Sequence, residues 1–349
     1  MDEHLIHVLN TVGKSPERYQ SPDGSEVLIL PYGGRILGLY PADSDKNFYW
    51  TNPAVAAIDT AKSFFESRQW QNTGGDRTWL APEIDFFFPN FPDRSVYFQP
   101  RQLDPGAFVV TCHNERLVMK NEFTIIPSRS REEIALRITK SLAPAAHPLR
   151  YERDIDDLLG VQYAGYTLYT SLEMLNETAL LGCAGLWNLV QMPHNGKMLI
   201  PTISQSEPKI CFGNIPAGDI KIEEHLVTYS MRAAGEQKIS LRAVTAIGRV
   251  GYFYQSDKEC NLIIRNFVVN PSGEYIDVLW NDTDYLGFAV QACNVSSNLG
   301  SFSELEYHIP AIGKGTGKAR CDDAAQVWAF RGEYRDIAAI AQMLLGAKI

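Results

Sequence analysis

The sequence predicts an all-β protein: a large antiparallel sandwich of two sheets with a few short helices. Three observations carry this reading. Short apolar or alternating runs recur roughly every 10–15 residues, the rhythm of successive antiparallel strands and not of βαβ units. Gly, Pro, Asn and Asp bound these runs, so turns separate them. Only two stretches show convincing helical periodicity, Ala61–Trp70 and Tyr334–Leu345, too few to cover a parallel sheet.

Taken in order, residues 1–22 read as an edge segment. Glu26–Leu30 and Arg35–Tyr40 flank Pro31-Tyr32-Gly33-Gly34 as a hairpin, and Asn47–Pro53 reads as an aromatic strand ended by its proline. After the Ala61–Trp70 helix come strands over Phe108–His113, Leu117–Ile126 and Glu133–Thr139, with turn chemistry at Asp104-Pro105-Gly106 and Asn114-Glu115. Gly165–Asn176, Ala184–Gln191, Lys197–Pro201, Ile220–Ser230, Leu241–Phe253, Asn261–Val269, Tyr275–Trp280 and Gly287–Cys293 continue the pattern. Ser303–His308 and Gln326–Arg331 close the set. Tyr334–Leu345 is then a helix whose Ile337, Ile340, Ala341 and Leu344 share the face that docks on the sandwich. No low-complexity linker, composition break or propeller repeat interrupts the chain, so one domain over 1–349 is expected.

Composition narrows the function classes. A chain of 349 residues with 45% hydrophobic and 11% aromatic residues can bury a sizeable core. Its formal net charge of −9, without a basic run, argues against nucleic-acid and anionic-membrane partners. The six cysteines are scattered without CxxC spacing, so free thiols are expected and a zinc ribbon is not. The charged N-terminus lacks a signal-peptide core, and no run of about 18 apolar residues exists. A soluble cytoplasmic protein is expected; a secreted form with its signal peptide removed would read the same.

Two segments concentrate the chemistry. WQNTGGDRTWLAPEIDFFFPNFPD (Trp70–Asp93) holds a Gly74-Gly75 pair, which marks backbone that a Cβ would block. Asn72, Arg77, Trp79 and Glu83 around it offer hydrogen-bonding groups and a flat apolar face, the parts a sugar site uses. The alternative is a loop in which Trp79 plugs the core and Arg77 pairs internally with Glu83. In SELEYH (Ser303–His308), period-2 alternation puts Glu304, Glu306 and His308 on one strand face and turns Leu305 and Tyr307 away. Crowded carboxylates of this kind suit general acid–base work, whereas on an edge strand they would be solvated charge.

Other signatures are thin. His113, His194 and His308 all lie at expected strand ends, and His194, in a turn with Gln191 nearby, is the best candidate of the three for a cleft. There is no HExxH and no GxSxG, and GKGTG (Gly313–Gly317) lacks the P-loop spacing. No cofactor is indicated and no metal ligand set can be named, although a carboxylate- and carbonyl-bound Ca²⁺ needs no fixed motif.

Four segments together resemble the galactose mutarotase-like superfamily: GGDRTWLAPE (Gly74–Glu83), LWNLVQMPHNGKMLIPT (Leu186–Thr202), AIGRVGYF (Ala246–Phe253) and SFSELEYHIPAIGKG (Ser301–Gly315). The likeness runs roughly from Glu26 to Arg331 and points to a bacterial branch distinct from the aldose 1-epimerases proper. It implies a two-sheet supersandwich whose concave face binds a sugar. In mutarotases of this type a histidine protonates the ring oxygen and a glutamate takes the anomeric proton. The Leu305-Glu306 context matches that glutamate, with Glu304 as competitor. The paired histidines of aldose 1-epimerases are not recognisable. The acid thus stays open among His194, His113 and mere electrostatic help from Arg77.

The expectation is therefore a protein whose partner is a small sugar or glycan. Glu306 or Glu304 would be the base and His194 the acid; Arg77, Trp79, Glu83, Asn72, Gln191 and His308 would hold the sugar. A non-catalytic sugar-binding module is the alternative. Glycoside cleavage is a third reading, which would need two carboxyls about 6.5–9.5 Å apart for inversion, Glu83 and Glu306 being the pair to inspect.

Overall fold

The structure, a computed structural model, describes residues 1–113, 116–152, 160–176, 182–256 and 258–349; the side chain of His113 and the Asn114-Glu115 turn lie outside the described residues. Among these, two ten-stranded antiparallel sheets form the body. The first runs in the order Glu17–Gln20, Glu26–Leu30, Arg35–Tyr40, Asp76–Ala81, Cys183–Pro193, Gly300–His308, Phe288–Ser297, Gly235–Arg242, Lys209–Phe212, with the short Ile312–Gly313 pairing beside Cys183–Pro193. The second runs Ile220–Ile222, Leu226–Met231, Gly196–Pro201, Arg249–Ser256, Glu259–Asn266, Arg320–Gly332, Gln162–Met174, Ile134–Pro144, Arg116–Ile125, Val109–His113. The antiparallel two-sheet architecture is the one the sequence predicts.

Burial patterns show where each sheet is covered. Arg116–Ile125 and Ile134–Pro144 alternate buried with more exposed residues, as strands with one wet face do. Cys183–Pro193 and Phe288–Ser297 are buried almost throughout, so both their faces are covered. One face packs on the second sheet through a core that includes Leu305, Tyr307, Val190 and Ile263. The other lies under loops, and the candidate site is there.

Between the sheets, Asp76 forms a fully buried ion pair with Arg265 of the opposite sheet. The Tyr166 hydroxyl donates to Asp76 Oδ2 at 3.0 Å and meets the Tyr49 hydroxyl at 2.8 Å. Lys140, also buried, donates to the Gly34 carbonyl at 2.8 Å.

Several elements differ from expectation. Residues 1–22 begin with a helix, Glu3–Thr11, whose N-cap Asp2 accepts from the Leu5 amide and whose Leu5, Ile6 and Leu9 pack on the first hairpin. The helix expected over Ala61–Trp70 is Ile58–Glu66, and Asn47–Pro53 is irregular, tied to the sheet by scattered backbone bonds and the isolated bridge between Thr51 and Gly74. Leu241–Phe253 straddles a turn, because Gly235–Arg242 and Arg249–Ser256 are separate strands. Tyr275–Trp280 is loop. The C-terminal helix spans Tyr334–Leu345; it buries Ile337, Ile340, Ala341 and Leu345 against Leu262, Trp328 and Phe330 and stops at Gly346 in the left-handed region. No described helix is long and apolar enough to cross a membrane.

The glycine pair has the predicted steric role. Gly74 and Gly75 have φ of +98° and +74°, and a Cβ on Gly75 would stand 2.2 Å from the Ile36 carbonyl oxygen. The closeness lets Gly75 donate to Trp50 O at 3.0 Å and accept from the Gln191 amide at 3.0 Å, which sets the start of Asp76–Ala81. Gly75→Ala is expected to destabilise the protein by about 2–4 kcal/mol, from a strained φ plus a backbone clash. Chemical denaturation should show a lower midpoint; an unchanged midpoint would contradict this account.

Candidate functional site

The register of five neighbouring strands decides which side chains meet. Arg77 stands opposite Leu189, Leu189 opposite Glu306, and Glu306 opposite Gln291. In the adjacent row Gln191, Glu304, Cys293 and Lys238 oppose one another in turn. Directly opposed residues of antiparallel strands share a face, so Arg77, Gln191, Glu304, Glu306 and Lys238 project together. Asp76 and Tyr307, one residue out of phase, face the second sheet. The site thus sits on the first sheet's far face, away from the sandwich interior.

Residues from the 83–99 segment, and Trp280 from the loop after Glu259–Asn266, close over this face. They leave a hollow of about 460 Å³ with aromatic walls, Trp70, Tyr97, Trp187 and Trp280 among them, above a charged floor. Trp280 stacks on Phe212 at 4.6 Å and meets Phe88 edge-on at 4.9 Å.

The floor is a web of buried charge. Arg77 Nη2 pairs with Glu304 Oε1 at 2.8 Å, Gln191 Nε2 donates to the same oxygen at 2.9 Å, and the guanidinium lies 4.0 Å over the Trp79 ring. Lys238 Nζ lies 3.1 Å from Glu306 Oε2, 3.5 Å from Glu83 Oε2 and 4.1 Å over Trp187. Trp187 Nε1 donates to Glu306 Oε2 at 2.7 Å. Glu83 also accepts from Tyr97 (2.8 Å) and Trp280 (3.1 Å), while its amide donates to Asp277.

Burial sets the proton affinities here. It pushes the Glu306 carboxyl up to about 8: Lys238 opposes the rise and the nearby Glu304 adds to it. Glu83 is likewise raised, by burial first, against the pull of Lys238. Burial works against the Lys238 ammonium, yet Glu306, Glu83 and Asp277 outweigh it and hold the lysine charged. His308 is driven well below its ordinary range by burial and by Lys238, so its imidazole is neutral.

The expected residues divide into two groups. Arg77, Trp79, Glu83, Glu304 and Glu306 all line the hollow. Arg77 does not pair with Glu83, as the loop reading had it; Glu304 takes the arginine and Lys238 takes Glu83. Gln191 serves beneath, holding Glu304. His308 has the strand face expected of it but lies under Trp187, rings 5.8 Å apart, with Nε2 2.7 Å from Gln291 Oε1. Asn72 is also not a lining residue: it is buried behind the glycine pair, its Oδ1 accepting from Gly74 N and Arg35 Nη1, each at 3.4 Å. His194 sits in the short connection that carries the chain from Cys183–Pro193 of the first sheet to Gly196–Pro201 of the second, and it does not line the hollow where the acid was expected. Among the described residues no histidine lines it.

Lys238, Asp277, Tyr97 and Trp280 escaped the sequence reading. Lys238 had a usable signal, because Glu236, Lys238 and Ser240 alternate with Gln237, Ile239 and Leu241. The other three stand on loops, where no period marks them. As to metals, Cys293, Glu304 and Glu306 each offer a ligand atom within 4.8 Å of the others. Arg77 and Lys238 already neutralise the two carboxylates, and burial pushes the Cys293 thiol well up, so the protein's own cations fill the role a metal would take.

Known proteins resemble this chain in fold more than in sequence. An aldose 1-epimerase candidate from Escherichia coli K12 superposes with a TM-score of 0.52 at 10% identity, over 90% of this chain and 99% of that one. A galactose 1-epimerase from Lactobacillus acidophilus NCFM gives a TM-score of 0.44 at 9% identity, over 91% and 95%. No curated protein sequence matches. Residues 7–349 match a family of unknown function, DUF6786. The chain belongs to that family, and it folds as a galactose mutarotase-like β-sandwich.

Proposed function

We propose that the hollow binds a pyranose sugar and catalyses its anomer exchange, as an aldose 1-epimerase-like isomerase. The observation that carries this is the unused hydrogen-bonding capacity of residues lining an aromatic hollow. Arg77 Nε and Nη1 and Glu306 Oε1 are buried and have no protein partner. Such groups are costly unless a ligand or water completes them. A sugar hydroxyl both donates and accepts, and the ring's C–H faces suit aromatic walls.

The electrostatics favour a division of labour between the two glutamates. Glu306 keeps its proton at neutral pH and is suited to give it to the ring oxygen. Glu304, two residues away on the same face and paired with Arg77, is suited to take the proton of the anomeric hydroxyl. The C1–O5 bond then breaks to the open aldehyde, C1–C2 rotates, and both proton transfers run backwards on closure. Glu306 thereby acts as acid where the sequence suggested base, and no histidine is required. Glycosidic hydrolysis finds less support, since the Lys238 ammonium stands between Glu83 and Glu306, where a water or glycosidic oxygen would have to be.

The lack of a lining histidine favours a second reading, sugar binding without turnover. Polarimetry on freshly dissolved aldoses, paired with titration calorimetry, separates the two. Glu306→Gln is expected to keep sugar binding and to lose about 10²–10⁴-fold of the acceleration. Binding with no acceleration in the parent protein would establish the module instead. The parent's acceleration should fall as pH rises past about 8, where Glu306 loses its proton.

Stability carries the same signature. The Glu306 carboxyl rises from an ordinary 4.5 to about 8, so across that window the folded chain binds a proton that the unfolded chain releases. The stabilisation from this group is complete below pH 4.5 and is lost as pH rises through 8. The melting temperature of Glu306→Gln relative to the parent should therefore increase between pH 5 and pH 8.5. A pH-independent difference would contradict the raised carboxyl.

A further inference from the structure

A second, smaller hollow adjoins the first. It measures about 220 Å³ and is lined by Arg68, Gln69, Trp70, Tyr97, Phe98, Gln99, Arg101 and Asp104. Trp70, Tyr97 and Gln99 line both hollows, so the two meet at that rim. Resting on the sugar-site reading, we propose that the ligand is a glycoside of at least two pyranose units, with one ring in the deep hollow and the next in this outer one.

Size is the first argument. The deep hollow alone, at about 460 Å³, falls in the ~300–1,000 Å³ range of pockets that enclose drug-sized molecules, and the outer hollow extends it further. The chemistry of the rim is the second. Trp70 and Tyr97 offer ring faces at the junction. Tyr97 is anchored by its hydroxyl on Glu83 and stacks on Phe87 at 5.6 Å. Trp70 is anchored by its indole N–H on Asp104 Oδ2 at 3.0 Å and packs on Trp79 at 5.4 Å. Two aromatic side chains fixed in this way form a stacking platform that needs no ordering on binding.

The walls of the outer hollow are built and not incidental. Arg101 ties its two sides together, donating to Gln71 Oε1 at 2.9 Å and to the Arg68 carbonyl at 2.7 Å. Asp104 is neutralised by Arg35 at 2.9 Å and takes the indole N–H of Trp79 as well. With these groups committed to structure, Arg68, Gln69 and Gln99 remain as the polar side chains for a second ring's hydroxyls. None of them belongs to the charged floor, so the outer hollow can contribute affinity without touching the acid–base pair.

Titration calorimetry with glucose, galactose, mannose and xylose, and with the corresponding β1,4-linked disaccharides, tests this. The expected result is at least one disaccharide binding about tenfold tighter than its monosaccharide. Arg68→Ala and Gln69→Ala, which line only the outer hollow, should abolish that margin while leaving monosaccharide affinity within about twofold. Monosaccharides binding as tightly as their disaccharides would overturn the second subsite and leave the sugar site standing. So would a margin that survives both substitutions. Failure of every mono- and disaccharide to bind would overturn the sugar-site reading itself, and this inference with it.

Discussion

The site depends on two cations buried among carboxylates. Arg77 and Lys238 are nearly inaccessible, as are Glu83, Glu304 and Glu306 beside them. An unpaired charge in such a place would cost several kcal/mol, so each group must find its partner or change its protonation. Arg77 settles on Glu304; Lys238 is shared by Glu83 and Glu306. Three carboxylates against two cations leave one negative charge too many. Burial, with the neighbouring Glu304 adding to it and Lys238 opposing, raises the Glu306 carboxyl until it holds its proton. The high proton affinity of Glu306 thus follows from where it is buried and which charges face it.

That arrangement requires strands distant in sequence to lie side by side. Arg77 and Glu304 come from opposite ends of the chain, yet only the Cys183–Pro193 strand separates theirs. The Gly74-Gly75 pair fixes where the Asp76–Ala81 strand begins, and with it the register that puts Arg77, not Asp76, on the site face. Asp76 turns inward and anchors the same strand to the second sheet through Arg265. One strand therefore carries an ion pair to the second sheet on one face and an ion pair that lines the hollow on the other.

The loops add what the sheet cannot. Tyr97 and Trp280 reach over the floor and donate to Glu83, which keeps the third carboxylate satisfied while shaping the aromatic walls. Loop side chains placed over a rigid sheet are the usual means by which a sandwich acquires a ligand site. A charged floor fixed by strand register thus lies beneath walls fixed by loops.

The fold was largely legible from the chain alone, because alternation, turn residues and the scarcity of helical periods are local signals. So was the shared face of Glu304, Glu306 and His308, since a strand's period is two whatever surrounds it. Composition could not say which member of that face would be open. Tertiary packing decided that Trp187 covers His308, on strands adjacent only in space, and that the chain at His194 crosses from one sheet to the other, off the hollow. Packing also decided the partners of Arg77 and Glu83, which sit close in sequence and point to different ions. Lys238 shows both sides: the alternation around it marks a shared strand face, and only burial between two glutamates makes it the centre of the site.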